Sequence, residues 1–289
     1  VKLILRLILV ISLVWITARG AIYLLPGDPV DHLISESLIQ INDEKTIAEI
    51  HQRMDLNSTP WHRLTSLPDG RSILNGAPIA PRIQEALLHS AQLTLLTLIL
   101  TLTLTFCFLY SGFRSQKFQR IWNGFSLFLA SVPVFISGPI ILFIFSLKLD
   151  LFPATNHPFL PAFCLALYLT GFWYRSLWQK INAYYPVSAV AGARSRGLDE
   201  YRVFLYYLIA PCSGSLIRFF SAQIGNLLNG SLIVELIFQW NGLGLLLADA
   251  ITKRDYPMIE IGLITVSLIT LLSLQIGIWL QYRLEPQKP

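Results

Sequence analysis

Apolar runs of roughly 20–30 residues recur along the chain, near 5–25, 87–112, 122–147, 159–179, 208–238 and 258–282, with polar stretches between them. An α-helix rising 1.5 Å per residue needs about 20 such residues to cross roughly 30 Å of hydrocarbon. The pattern therefore predicts an all-α, polytopic membrane protein with about six transmembrane helices. The fifth run is long enough to tilt or to be broken at Gly225 and Gly230. The first follows Lys2 and Arg6, as a secretory signal would. Its length and the lack of a small-x-small cleavage site favour an anchored span.

The one sizeable polar stretch lies between the first two runs. Within it, "NDEKTIAEIHQRM" sets Ile47, Ile50 and Met54 at helical spacing, and "LPDGRSILNGAPIAP" is rich in turn formers. It is too poor in apolar residues to build its own core, and reads as a small lid or docking element. The organisation predicted is a first helix over 1–25, an extracytoplasmic segment over 26–86, and a five-helix core over 87–289 with a cytoplasmic elbow near 186–207.

Composition agrees with a bilayer as solvent. Hydrophobic residues make up 54% and charged residues 13%, where soluble domains carry about 25% charged, and the mean hydropathy is +0.56. The surplus of 22 Lys and Arg over 17 Asp and Glu is spread among loops, so it reports topology rather than nucleic acid. Lys2 and Arg6, then Arg114, Lys117 and Arg120, then Lys180, Arg194, Arg196 and Arg202, mark three cytoplasmic loops. Arg283 and Lys288 follow the last run, which puts both termini in the cytoplasm.

Chemistry of the common enzymatic kinds is missing from the string. It contains no GxxxxGK[ST] phosphate loop, no GxSxG elbow and no HExxH pair, so energy for transport has to come from elsewhere. The histidines at 32, 51, 62, 89 and 157 lack the i, i+4 or HxH spacing of a metal site, and none is expected. Cys107, Cys164 and Cys212 fall in or near spans and read as buried thiols. Charges within spans are few. Arg175 snorkels from the inner end of the fourth run, Arg218 lies about a third of the way into the fifth, and Glu235 is near its outer end. A membrane-buried charge is costly, which makes Arg218 a candidate for lining a path or pairing with a neighbouring subunit, against a snorkelling role. Carboxylates near the midplane, which a proton-coupled transporter needs, are not evident.

One segment does not fit a plain loop. From Ser188 to Phe204 the chain reads "SAVAGARSRGLDEYRVF". Small residues precede Gly197, and Asp199 and Glu200 favour the start of a second helix. A helix–glycine–helix elbow with close-approach residues and arginines suits contact with a soluble partner.

The segment "AGARSRGL", Ala191 to Leu198, resembles the EAA motif in the first permease subunit of the dipeptide, oligopeptide and nickel ABC importers, with the spacing Ala191-Gly192-Ala193-x3-Gly197. Gln223, Gly225, Gly230, Glu235, Phe238 and Gly242 fall where that family's Q-x-G…G…E-x-x-F…PGLG pattern puts them. "RDYP" (Arg254 to Pro257), "LLPGDPV" (Leu24 to Val30) and "SVPVF" (Ser131 to Phe135) match further signatures in order.

The resemblance implies a type I importer permease in a bacterial cytoplasmic membrane. It would work with a second homologous permease, two cytoplasmic ATPase subunits that bind ATP and Mg, and an extracytoplasmic solute-binding protein. Ala191, Gly192, Ala193, Arg194, Arg196, Gly197 and Leu198 would form the coupling helix seated on an ATPase. Arg218, Gln223, Gly225, Glu235 and Gly242 would line the path or outer mouth. The chain itself would hold no cofactor, and its solute would be a di- or oligopeptide, with nickel or another small solute as the alternative. A secondary transporter or a noncatalytic scaffold paralogue are the other classes. Departures from the family are Asn241 where Pro is usual, Ala191 for the first acidic residue, and Ser215 for a Pro, with Pro211 four residues earlier.

Overall fold

The computed structural model describes residues 12–17, 20, 70–184, 187–212, 214, 216–217, 221, 227 and 231–284. Among these the chain is helical, with a single isolated bridge, between Arg71 and Pro78, as its extended pairing. The expected first span, most of the polar segment after it, and much of the fifth run lie outside the described residues.

Helix α1, Ile79–Arg114, is 36 residues long. It starts eight residues before the apolar run at 87, because Pro81 in its first turn needs no hydrogen-bonded N–H and the polar residues there do not stop a helix. Its buried stripe runs through Ser90, Leu93, Thr94, Thr97, Thr101, Thr105, Leu109 and Gly112. Spacings of three and four put these residues on one face. Short side chains there let α1 lie close along α4, Phe159–Tyr184.

Helix α2, Gln116–Ser131, follows after the single extended residue Ser115. The turn is fixed by Trp122, which stacks on Phe108 at 4.0 Å and donates its Nε1–H to Ser111 Oγ at 2.7 Å. Helix α2 also packs on α4, where Gly171 allows near-contact of backbones. A Cβ at Gly171 would stand 2.7 Å from the Ser126 carbonyl oxygen and 2.8 Å from the Ala130 nitrogen.

The run at 122–147, expected as one span, is instead two segments. Helix α3, Val134–Leu142, continues as a π-helical stretch, Phe143–Lys148, and is bent 99° from α2. Pro133 causes the break: it has no N–H to donate to the turn before it, and it pushes Val132 into the extended region.

Helix α5, Val187–Ser195, and the short α6, Glu200–Val203, form the elbow. Helix α6 runs on as the π-helical stretch Phe204–Ile209 and a 3₁₀ turn, Ala210–Cys212. Helix α7, Leu232–Phe238, is the described end of the fifth run. The stretch 239–257, left between the fifth and sixth apolar runs, contains a further helix, α8, Leu243–Thr252, bent 86° from α7. Helix α9, Tyr256–Leu284, matches the sixth run. By length and composition, two of the described helices suffice to cross a membrane, Ile79–Arg114 and Tyr256–Leu280, or up to four when each bent pair counts as one span.

Candidate functional site

The predicted site residues that can be described fall into two groups, one near each end of α1. The elbow comes first. Gly197 has φ +75°, a left-handed conformation that costs an L side chain about 1–2 kcal/mol. Its N–H donates to the Arg194 carbonyl at 2.9 Å, and the Leu198 N–H donates to the Ala193 carbonyl at 3.2 Å. This pair of bonds is a Schellman ending, and it comes with the expected apolar contact, Leu198 packing on Val190, Ala193 and Val203. Asp199 then caps α6, its side chain accepting the Tyr201 N–H at 3.2 Å.

The two arms are held at a fixed angle. Arg194 makes a two-pronged pair with Glu200, 2.9 Å from Nε to Oε1 and 3.0 Å from Nη2 to Oε2. Arg196 donates to the Gly192 carbonyl at 3.0 Å and to Tyr207 Oη at 3.1 Å. The elbow is docked on the end of α1, where the Arg194 guanidinium lies 5.4 Å from the centre of the Phe113 ring, and Phe113 is 5.6 Å from Phe204. Ala193 is fully buried inside this joint, so its small size serves packing within the chain. The outward surface consists of Ala191, Ser195, Arg196 and Gly197, with Arg194 partly exposed.

The second group surrounds Glu235, which is fully buried. Its Oε1 accepts from Ser90 Oγ at 3.1 Å and from Ser231 Oγ at 2.8 Å, and its Oε2 accepts from the Leu245 N–H at 2.9 Å. Ser90 Oγ in turn accepts the Leu243 N–H at 2.7 Å. Leu243 and Leu245 belong to the first turn of α8, whose N–H groups have no partner within the helix. A carboxylate from α7 and a hydroxyl from α1 thus cap α8 together, with the negative charge at the favourable end of the helix dipole.

The glycines of this segment make room for the cap. A Cβ at Gly242 would lie 2.5 Å from the Glu235 carboxyl carbon; one at Gly244 would lie 2.9 Å from Oε2 and 2.7 Å from the Leu232 Cα. Gln239, at φ +51°, turns the chain between α7 and α8. Trp240 fastens the bend to α1, donating Nε1–H to the His89 carbonyl at 3.1 Å with its ring edge-on to His89 at 5.2 Å.

A related latch holds the far end of α8. Asp255, buried, accepts from Ser72 Oγ and from the Ile73 N–H at 3.2 Å. Its carbonyl starts α9 by accepting the Ile259 N–H at 3.0 Å. The preceding Arg254 sits at φ +53°, and Pro257 is in the first turn of α9, where proline is tolerated. Arg254, Asp255 and Pro257 of "RDYP" therefore each have a local task.

Ser90 and Phe113 are 23 positions apart on α1, about 35 Å along the axis, close to the roughly 30 Å thickness of bilayer hydrocarbon. The elbow and the capped bend are accordingly about one hydrocarbon thickness apart along α1. Of the other predicted path residues, Arg218, Gln223 and Gly225 lie outside the described residues. Gly242 is brought against Glu235, whose carboxylate faces the interior of the chain. Sequence reasoning missed Ser90, Ser231, Ser72, Gly244 and Phe113. Gly244 had a signal, the Gly-x-Gly spacing after Glu235, whereas a serine on an apolar run gives none.

Residues 106–288 match the family described as "Binding-protein-dependent transport system inner membrane component". The chain is also 26% identical over 272 residues to a nickel import system permease protein NikB of Staphylococcus aureus (strain MRSA252), covering 88% of this chain and 81% of that protein. A second NikB, from Staphylococcus aureus (strain USA300), is 26% identical over 249 residues, covering 81% of this chain and 74% of the relative. With its helical architecture, the chain belongs to the binding-protein-dependent inner-membrane component family and is a multi-pass permease subunit of an ABC importer.

Proposed function

We propose that this chain is the first of two related permeases in its importer, and that Ala191 to Leu198 receive the movement of a cytoplasmic ATPase subunit. The observation that carries this reading is the elbow itself. Two helices are joined at a left-handed glycine, locked by the Arg194–Glu200 pair, and seated on Phe113 at the end of a 36-residue helix. Such a joint moves as one piece, which suits a lever, and its outward face is small enough to enter a cleft. Two ATPase subunits hold ATP and Mg, a second permease completes the path, and an extracytoplasmic binding protein delivers solute. Both termini are cytoplasmic, on the elbow side. Closure of the ATPase pair switches the path between its two openings by largely rigid-body motion.

Two cargo readings follow from different observations. The names of the relatives support nickel, and a di- or oligopeptide is the other cargo of the importers whose ordered motifs, from PGDP through RDYP, this chain resembles. Reconstituted complex with binding protein loaded with either Ni²⁺ or a tripeptide separates them by which one raises ATP hydrolysis. The elbow is tested by Gly197→Glu, which is expected to abolish ATPase-coupled uptake and leave membrane insertion intact. Normal uptake by that variant refutes the assigned role.

A further inference from the structure

Helix α8 meets α1 through apolar side chains, Leu243, Leu247 and Ala250 against Ile79, Ile83 and Ala86. Apolar contact is non-directional and resists sliding weakly. What fixes the register is polar and sits at the two ends of α8. At its far end, the Asp255 latch ties the loop leading into α1 to the turn after α8. At its near end there are two ties: Trp240, in the bend before α8, donates to the His89 carbonyl, and Ser90 Oγ, the tie that reaches α8 itself, donates to Glu235 on α7 and accepts from the Leu243 N–H on α8. Ser90 is 2% exposed, so the tie is shielded from solvent. It is also on the same uninterrupted helix whose opposite end, at Phe113, carries the elbow.

We propose that Ser90 is a positioning residue through which displacement of α1 by the elbow is passed to the bent pair α7–α8 at the outer face. This rests on the reading of Ala191 to Leu198 as the ATPase receiver. Glu235 then acts as the joint of the bend rather than as a group that touches solute. Movement of α1 by a fraction of a helical turn carries α8 with it while the Ser90 tie holds, and slips past it when the hydroxyl is removed.

The test uses the assembled complex of both permeases and both ATPases in nanodiscs, with the chain's Cys107, Cys164 and Cys212 replaced by serine. A reporter, Ile251→Cys, is placed on the exposed side of α8, and its reaction rate with a membrane-impermeant maleimide is read with and without ATP and vanadate. The nucleotide-dependent change in that rate, divided by the rate of ATP hydrolysis, is expected to fall at least fivefold in Ser90→Ala and to persist in Ser90→Thr, which keeps the hydroxyl. An undiminished ratio in Ser90→Ala overturns the proposal. So does parallel loss of assembly, hydrolysis and the labelling change without rescue by Thr, because that is a purely structural serine. An unsubstituted complex in which Ile251→Cys does not respond to nucleotide overturns it too. If instead Gly197→Glu keeps the full nucleotide response, the elbow reading falls, and the Ser90 variants still decide whether the tie transmits.

Discussion

Replacing Glu235 separates a carboxylate that caps a helix from one that serves only as buried bulk. Glu235→Ala removes three accepted hydrogen bonds at a site with no solvent. The Ser90 and Ser231 hydroxyls can rotate to other acceptors, and the Leu245 N–H cannot. A bond to a charged group contributes about 1.5–3 kcal/mol and an orphaned buried donor costs about 1–3 kcal/mol, so the total loss is about 4 kcal/mol. Glu235→Gln keeps the shape. With its carbonyl oxygen turned toward the Leu245 N–H, its NH₂ faces two hydroxyls, and each of these can accept as well as donate. Only the charge-dependent part disappears, about 1–2 kcal/mol.

Gly242→Ala gives an independent reading of the same cap. The backbone there is at φ −87°, which any residue adopts, so conformational strain does not demand glycine. Room does, because the new Cβ would be 2.5 Å from both the carboxyl carbon and Oε1 of Glu235. The side chain has to withdraw and give up most of its bonds, for a loss of about 3 kcal/mol on the same scale. The assay is the thermal midpoint of the fluorescently tagged complex, read by size exclusion after heating. At roughly 2–4 °C per kcal/mol, Glu235→Ala and Gly242→Ala are each expected to lower it by about 10 °C, and Glu235→Gln by about 3 °C. A neutral Gly242→Ala, or a Glu235→Gln as damaging as Glu235→Ala, refutes the cap.

Two further substitutions probe the frame around that site. Gly171→Leu drives a side chain into the α2 backbone at Ser126 and Ala130, which neither helix can yield, and is expected to prevent accumulation of folded protein, read by the monodisperse peak. Asp255→Ala frees the Ser72–Ile73 loop from the start of α9; hydrogen exchange over 70–78 is expected to rise at least tenfold, with the protection of α4 unchanged.

The sequence revealed periodic and local features far better than cross-chain ones. Apolar length found α1, α4 and α9, and Gly197 followed by Asp199 and Glu200 marked the turn between α5 and α6, because the cause of each lies within a few residues of its effect. The 99° bend at Pro133 was written in "SVPVF", but a proline's kink angle is set by what packs beside it, here the close approach of α2 to α4 at Gly171. Helix α8 escaped the search for apolar runs because it is only ten residues long, too short for a span, and what stabilises a helix that short is its docking on α1. Ala193 shows the limit from the other side: small size suggested an outward socket, and the same small size fits the interior of the elbow.

The cap also explains which departures from the family pattern the chain tolerates. Asn241, where proline is usual, is exposed, and no bond of the cap uses it: the bonds come from the N–H groups of 243 and 245, and the room from the bare Cα atoms of 242 and 244. Proline at 241 would add stiffness before the helix without adding a contact to Glu235. Ala191, in place of an acidic residue, is likewise exposed and outside the ion pair and Schellman bonds that shape the elbow. The cap is therefore built by Glu235 with Gly242, Gly244 and the hydroxyl of Ser90, which lies 145 positions from Glu235 in the chain. Substitution at any one of these disturbs bonds or room that the others share, whereas Asn241 shares in none of them.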